Sequence, residues 1–288
     1  MYCYRLFWFV VLIFNSGLSD YHSGTIQASE PEANVLRQTE KLSITSDTTF
    51  VLHGDTVHVL YPSVRIKGQI LVLPGWNYAS EKCCTESSFC RKALEQGYVL
   101  LMPEMGKSIY AAAVYPETRK DWSRFPQLKW LCDTLLPFIQ TKAGLFRPGQ
   151  DNLVFGISTG GRGVALLLEH SGKLFKAGAS LSGDFDQTRS PQDNLMRGFY
   201  GPFSQFKSRW EGEDNALMNA SKVQVPIYLG HSLKDNIVPS EQTRLFYLAI
   251  RKSDDKIAHV LHLSPDNGHN YTYWDSETDA VLQFFKQF

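Results

Sequence analysis

One run of residues constrains the fold of this chain more than any other: Leu153-Val154-Phe155-Gly156-Ile157-Ser158-Thr159-Gly160-Gly161-Arg162-Gly163-Val164-Ala165-Leu166-Leu167-Leu168. Leu153 to Phe155 read as a short buried strand, and Val164, Leu167 and Leu168 repeat at helical spacing directly after the turn. A Gly-x-Ser-x-Gly turn between strand and helix holds its serine in strained backbone, and the glycines keep neighbouring side chains out of the way. Ser158 is therefore the candidate nucleophile. A glycine-rich turn whose serine merely caps the helix would look the same over these few residues. The partners that decide between the two must come from elsewhere in the chain.

A serine hydroxyl attacks well only if a base takes its proton and a third group orients that base. In the order serine, acid, histidine, both must lie downstream. Val225 to Leu229 read as a buried strand followed by a loop and a helix from about Ser240, and Asp235 stands just past the strand. Ile257 to Leu263 form a further apolar run, and Ser264-Pro265-Asp266-Asn267-Gly268-His269-Asn270 is a turn-rich loop before the last helix. His269 is the candidate base and Asp235 the candidate acid. Asp266, Asp184 and Asp214 are rivals for the acid, and His231, in the acid's own loop, is better suited to a supporting role. The other histidines, His22, His53, His58, His170, His259 and His262, sit in the N-terminal tail, in expected strands or near a helix end.

Charge developing on an attacked carbonyl oxygen needs donors aimed at it. The backbone N–H of Thr159, at a helix N-terminus, is one. The apolar strand Gln69 to Leu73 stops at Pro74-Gly75, and the N–H of Trp76 is the second, with Asn77 the alternative. Trp76, Asn77 and Trp274 are the candidates for lining a substrate pocket.

With these residues in place the chain resembles an α/β-hydrolase, and most closely the esterase family that includes esterase D, S-formylglutathione hydrolase and feruloyl esterases. The resemblance rests on Gly156 to Ala165, close to that family's Gly-x-Ser-x-Gly-Gly-x-Gly-Ala-Leu elbow. It rests also on Ser182-Gly183-Asp184, Arg209 to Asp214 and Gly268 to Trp274, and spans about Ile70 to the C-terminus. Thr159 stands where many members have methionine, and Pro-Gly-Trp where others have His-Gly. Both keep the backbone donors but change the pocket. The resemblance implies an α/β fold, with a mostly parallel central sheet, helices on both faces and a small lid insertion.

Alternation of strands near Thr48 to Leu52, Asp55 to Tyr61, Gln69 to Leu73 and Tyr98 to Met102 with helices to Gln96 and over Pro126 to Lys142 agrees with that fold. Residues 1–19 read as a signal peptide: Arg5, then nine apolar residues from Leu6 to Phe14, then Gly17-Leu18-Ser19. Residues 20–40 read as a flexible leader and 41–288 as the hydrolase domain, with a strandless cap or lid at about 184–225. The loop holding Tyr110, Tyr115, Arg119 and Trp122 is either surface packing or part of the site. Lys plus Arg and Asp plus Glu both number 29, so no nucleic-acid partner and no membrane-surface footprint is expected. In an oxidising compartment Cys84 to Cys90 is preferred over Cys83 to Cys90 as a bridge, Cys132 reads as a buried thiol, and no metal or other cofactor is expected. The expected function is an exported serine carboxylesterase acting on a small-molecule or carbohydrate-linked ester. A serine peptidase of the prolyl-oligopeptidase kind and a non-catalytic binding protein on the same fold are the alternatives.

Overall fold

The chain's path through its sheet decides where a site can form. A computed structural model describes residues 45–122 and 126–288; the expected signal peptide and the whole of the expected leader lie outside the described residues. Eight strands, β1 (Thr48–Leu52), β2 (Asp55–Leu60), β3 (Gly68–Leu73), β4 (Tyr98–Pro103), β5 (Asn152–Ile157), β6 (Ala177–Leu181), β7 (Ile227–Ser232) and β8 (Val260–Ser264), form one sheet. Their order is β1-β2-β4-β3-β5-β6-β7-β8. The first two pairings, β1 with β2 and β2 with β4, are antiparallel, and every later one is parallel. This is the α/β-hydrolase arrangement expected from the sequence.

The burial pattern follows from the pairing. Strands β3 to β7 are covered on both faces and buried throughout, so they read as continuous apolar runs. By contrast β2 alternates buried and half-buried residues. One face carries α1 (Lys82–Glu86), α2 (Phe89–Glu95) and the C-terminal α10 (Thr278–Phe285), whose Phe89, Leu282 and Phe285 join Ile70, Phe155 and Ala179 in one core cluster. Against the other face lies α5 (Thr159–Ser171), with Val164 and Leu168 pressed onto Gly178 of β6.

The helix expected over Pro126 to Lys142 is divided. It runs as α3 (Gln127–Trp130), a π turn over Leu131–Leu135, and α4 (Leu136–Lys142). Its apolar face, Leu128, Leu131, Leu135 and Ile139, is buried as the periodicity requires. The widened turn comes directly before Pro137, whose ring would clash with the Asp133 carbonyl in a regular helix and which has no N–H to donate to it. Cys132, in this turn, is half-buried with its Sγ 3.2 Å from Ser171 Oγ. Cys84 is bridged to Cys90, and Cys83 is free and buried. No helix among the described residues is long and apolar enough to cross a membrane.

The insertion after β6 contains α6 (Asn194–Tyr200), α7 (Lys207–Trp210) and two 3-10 turns, Gln187–Arg189 and Ala220–Lys222, with no strand. After β7 comes α8 (Glu241–Ser253), and after β8 comes α9 (Tyr271–Ser276).

Candidate active site

Strand order reverses at β3. The chain leaves β3 for β4 on one side and returns to build β5 on the other, so the loops at the carboxyl ends of β3 and β5 part and open a crevice. Pro74-Gly75-Trp76 and Ser158 occupy those two ends.

Ser158 sits between β5 and α5 with φ 54° and ψ −123°, a conformation non-glycine residues adopt at a cost on the order of 1–3 kcal/mol. The backbone is pinned on both sides: Ser158 N–H donates to Leu181 O at 2.8 Å, and Arg162 N–H to Ser158 O at 3.2 Å. The glycines make this turn possible. A Cβ on Gly156 would lie 2.2 Å from Gly160 O, and one on Gly160 would lie 2.1 Å from Leu73 O. Strand β5, the elbow and the end of β3 therefore touch backbone to backbone.

The loops after β7 and β8 bring Asp235 and His269 to the serine. His269 Nε2 accepts from Ser158 Oγ at 2.8 Å, and His269 Nδ1 donates to Asp235 Oδ2 at 2.6 Å. The Asp235 carboxylate is fully buried and also takes His231 Nε2–H at 3.1 Å, with the Ile237 and Val238 N–H groups at 2.9 and 2.8 Å on its other oxygen. Burial opposes its ionisation, but the hydrogen bonds from His231, His269 and Val238 outweigh it and hold the carboxyl well below the usual range. Thr243 Oγ1 meets His231 Nδ1 at 2.6 Å and fixes that ring with its Nε2–H towards the carboxylate and Val238 O. Of the rival acids, Asp266 pairs with Lys234 in solvent at 3.1 Å, and Asp184 and Asp214 gather around Arg162. None of the other histidines within the described residues hydrogen-bonds to Ser158 or Asp235.

The N–H of Asn77 is already donating to Gly106 O at 2.8 Å, so of the two candidate second donors Trp76 alone keeps its N–H without a backbone acceptor among the described residues, while Thr159 opens α5. The Pro74 carbonyl is held by Tyr110 OH at 2.7 Å, so the turn is braced from the loop after β4.

A cavity of about 260 Å³ opens beside Ser158. Trp76 and Thr159 line it, with Asp184, Gln187 and Met196 from the insertion and Ile237, Val238 and Gln242 from the acid's side. Two of the expected pocket residues lie elsewhere. Asn77 borders a separate hollow with Glu104, Lys107 and Trp122. Trp274 is buried in the core, its ring edge-on to His269 at 5.2 Å and its Nε1–H on Ser182 Oγ at 3.1 Å, so it backs the histidine instead of facing the cavity. The sequence pattern around His269 cannot reveal this, because Trp274 falls on the first turns of α9, whose facing is set by packing against Tyr78 and Tyr271.

Three contributors carry no motif. Ser232, which closes β7, donates to Asp266 O at 2.7 Å and accepts Gly268 N–H at 2.9 Å and Lys234 N–H at 3.1 Å, stapling the acid loop to the histidine loop. Gln242 accepts the N–H groups of Phe185 and Asp186 at 3.1 and 2.9 Å and donates to Asp186 O at 3.0 Å, fixing the start of the insertion. Arg162 is the third, fully buried one turn along α5. A polar residue ending a buried strand, or an arginine within an apolar helix, is the only signal the sequence offers for such roles.

The sheet, its reversal and the elbow define an α/β-hydrolase. Residues 145–288, half of the chain, match the prolyl oligopeptidase family, and the chain belongs to that family. No match is found among curated proteins. A fluorophosphonate-binding serine hydrolase of Staphylococcus aureus, solved with substrate bound, is similar at 17% identity and a TM-score of 0.67, over 83% of this chain and 98% of that one. An S-formylglutathione hydrolase from Agrobacterium tumefaciens gives 14% and 0.63, over 84% and 99%. The acylaminoacyl peptidase of Pyrococcus horikoshii gives 16% and 0.60, over 87% of this chain but 43% of that longer one. Esterases and peptidases thus share this fold with the chain at similarly low identity.

Proposed function

We propose that this protein is an exported serine hydrolase that cleaves a carboxylic ester through an acyl-enzyme, with Ser158 as nucleophile, His269 as general base and Asp235 as the group that orients it. The observation that carries the reading is the unbroken hydrogen-bond chain Ser158 Oγ, His269 and Asp235 at 2.8 and 2.6 Å, opening on a cavity. Ser158 Oγ attacks the carbonyl carbon as its proton passes to His269 Nε2, and the oxyanion is met by the Thr159 and Trp76 N–H groups. Collapse breaks the bond to the alcohol, which leaves with the proton from His269. Water then attacks the acyl carbon, giving its proton to His269, and Ser158 Oγ departs with it. Asp235 stays ionised throughout and compensates the imidazolium. Export is supported by the signal-like residues 1–19 and the Cys84–Cys90 bridge, and residues 184–225 act as the cap over the site.

A peptidase is the second reading, favoured by the family match over 145–288. Rates on p-nitrophenyl acyl esters and on aminoacyl-p-nitroanilides separate the two: kcat/KM at least about a hundredfold higher on the esters is expected, since 1.4 kcal/mol of transition-state preference is already tenfold. Turnover of the anilides at matching efficiency would give the peptidase reading precedence. Failure of a fluorophosphonate to label Ser158 would sink both.

A further inference from the structure

Arg162 lies one turn beyond Ser158 on α5 and has no exposed surface. A buried guanidinium is tolerated only when its donors are met. Its Nε donates to Ile109 O at 3.2 Å, its Nη1 to Gln187 Oε1 at 3.0 Å and to Asp184 Oδ2 and O at 3.3 and 3.4 Å, and its Nη2 to Tyr200 OH at 3.2 Å and to Asp214 O. Every partner lies off the helix, in the loop after β4 or in the insertion. Asp214 extends the network, taking Ala112 N–H at 2.8 Å and Tyr200 OH at 3.1 Å.

Two of these partners, Asp184 and Gln187, line the cavity beside Ser158. Gln187 is held at both ends of its amide, with Oε1 on Arg162 and Nε2 donating to Trp210 O at 2.7 Å. Without the guanidinium, nothing else on α5 hydrogen-bonds to either side chain among the described residues. We propose that Arg162 is a positioning residue: it fixes Asp184 and Gln187 on the cavity wall in register with the nucleophile, and so sets how tightly the substrate's longer groups are bound, without touching the reacting atoms. This rests on the reading of Ser158 as nucleophile. A lysine could not replace it fully, because three donors on one nitrogen cannot span partners that a planar fork reaches in different directions.

The test uses Arg162→Met and Arg162→Lys in the full chain, with two readouts. Labelling of Ser158 by a small fluorophosphonate reports on nucleophile and oxyanion donors alone. Separate kcat and KM values on p-nitrophenyl acetate and hexanoate report on the cavity wall, since both acyl groups enter beside Ser158 but the longer chain covers more of that wall. Arg162→Met is expected to label within about threefold of the parent, to raise KM for hexanoate about tenfold with kcat falling less, and to leave KM for acetate little changed. Arg162→Lys should fall between. A merely structural role lowers the active fraction, which scales kcat on both esters alike and leaves KM alone; that outcome overturns the proposal, as does a labelling rate that falls with kcat. If Arg162→Met does not fold, Arg162→Lys and Gln187→Leu are judged by the same hexanoate-against-acetate split in KM. A parent that neither labels nor turns over would bring down the hydrolase reading, and with it this proposal, a failure distinct from an unchanged KM profile in the variants.

Discussion

The loops that hold Ser158, Asp235 and His269 and the insertion that walls the cavity are built by different means. The loops are short, hang from the ends of parallel strands, of which β5 and β7 are fully buried and β8 is not, and are fixed chiefly by backbone: a strained elbow, glycine contacts, and N–H groups on a carboxylate and on Ser232 Oγ. The insertion has no strand to continue, and its short helices are tied down by buried polar side chains, chiefly Arg162, Asp214, Gln187, Asn215 and Gln242. A backbone-built region tolerates change around it but not at its few reacting atoms. A region built from side chains can vary in shape, and each buried polar tie is costly to break.

The largest effect should come at the backbone-built loops. Ser158→Ala should end fluorophosphonate labelling and lower ester turnover on the order of 10⁴-fold or more, and His269→Ala comparably, while the double variant falls no further because the residues act as a unit. Asp235→Asn should cost on the order of 10⁴-fold as well, through the wrong imidazole tautomer. Both are read by single-turnover kinetics with circular dichroism to confirm the fold. Additive losses in the double variant, or a silent Asp235→Asn, would break the contrast drawn between the two regions.

That same contrast explains what could be read from the chain. The buried strands declared themselves because a parallel sheet covered on both faces leaves apolar runs such as Gln69 to Leu73 and Leu153 to Phe155, and loop order then pointed to Ser158, Asp235 and His269, which the structure brings into one hydrogen-bond chain. The bond from Asn77 N–H to Gly106 O, which occupies the alternative donor, is made by a loop with no periodic signal. Trp274 looked like a pocket residue by its nearness to His269 in sequence, yet packing turned it inward. The insertion's ties were hidden for a related reason: the hydrogen bond from Arg162 to Asp214 spans 52 residues, and no local pattern encodes it.

A middle-sized effect belongs to the insertion. Trp210 is fully buried, stacks at a tilt on Tyr200 at 5.8 Å, and donates Nε1–H to Gly201 O at 3.0 Å. Trp210→Ala should destabilise by about 3–5 kcal/mol, the usual cost of emptying a buried aromatic site. Denaturant unfolding measures it. The folded fraction should still label at Ser158, because the elbow draws on β5 and α5 and not on α7. Loss of labelling in protein that remains folded would mean that the insertion helps to build the nucleophile's own environment.

The smallest effect falls on the residue that joins the two regions. Trp76, whose N–H is the proposed oxyanion donor, lies in the turn after β3, while its ring lines the cavity and packs edge-on against Trp122 at 4.8 Å and Phe199 of α6 at 6.1 Å. Trp76→Ala keeps the N–H and removes the wall, so the two contributions should separate. On acetyl esters kcat should fall by less than about threefold, while kcat/KM for octanoyl and branched esters rises about three- to tenfold, within what a few methylenes in an apolar pocket can discriminate. Measuring kcat/KM from acetyl to decanoyl on both proteins decides it. An unchanged chain-length profile would place the acyl group away from this ring, leaving the insertion's contact with Trp76 a matter of packing alone.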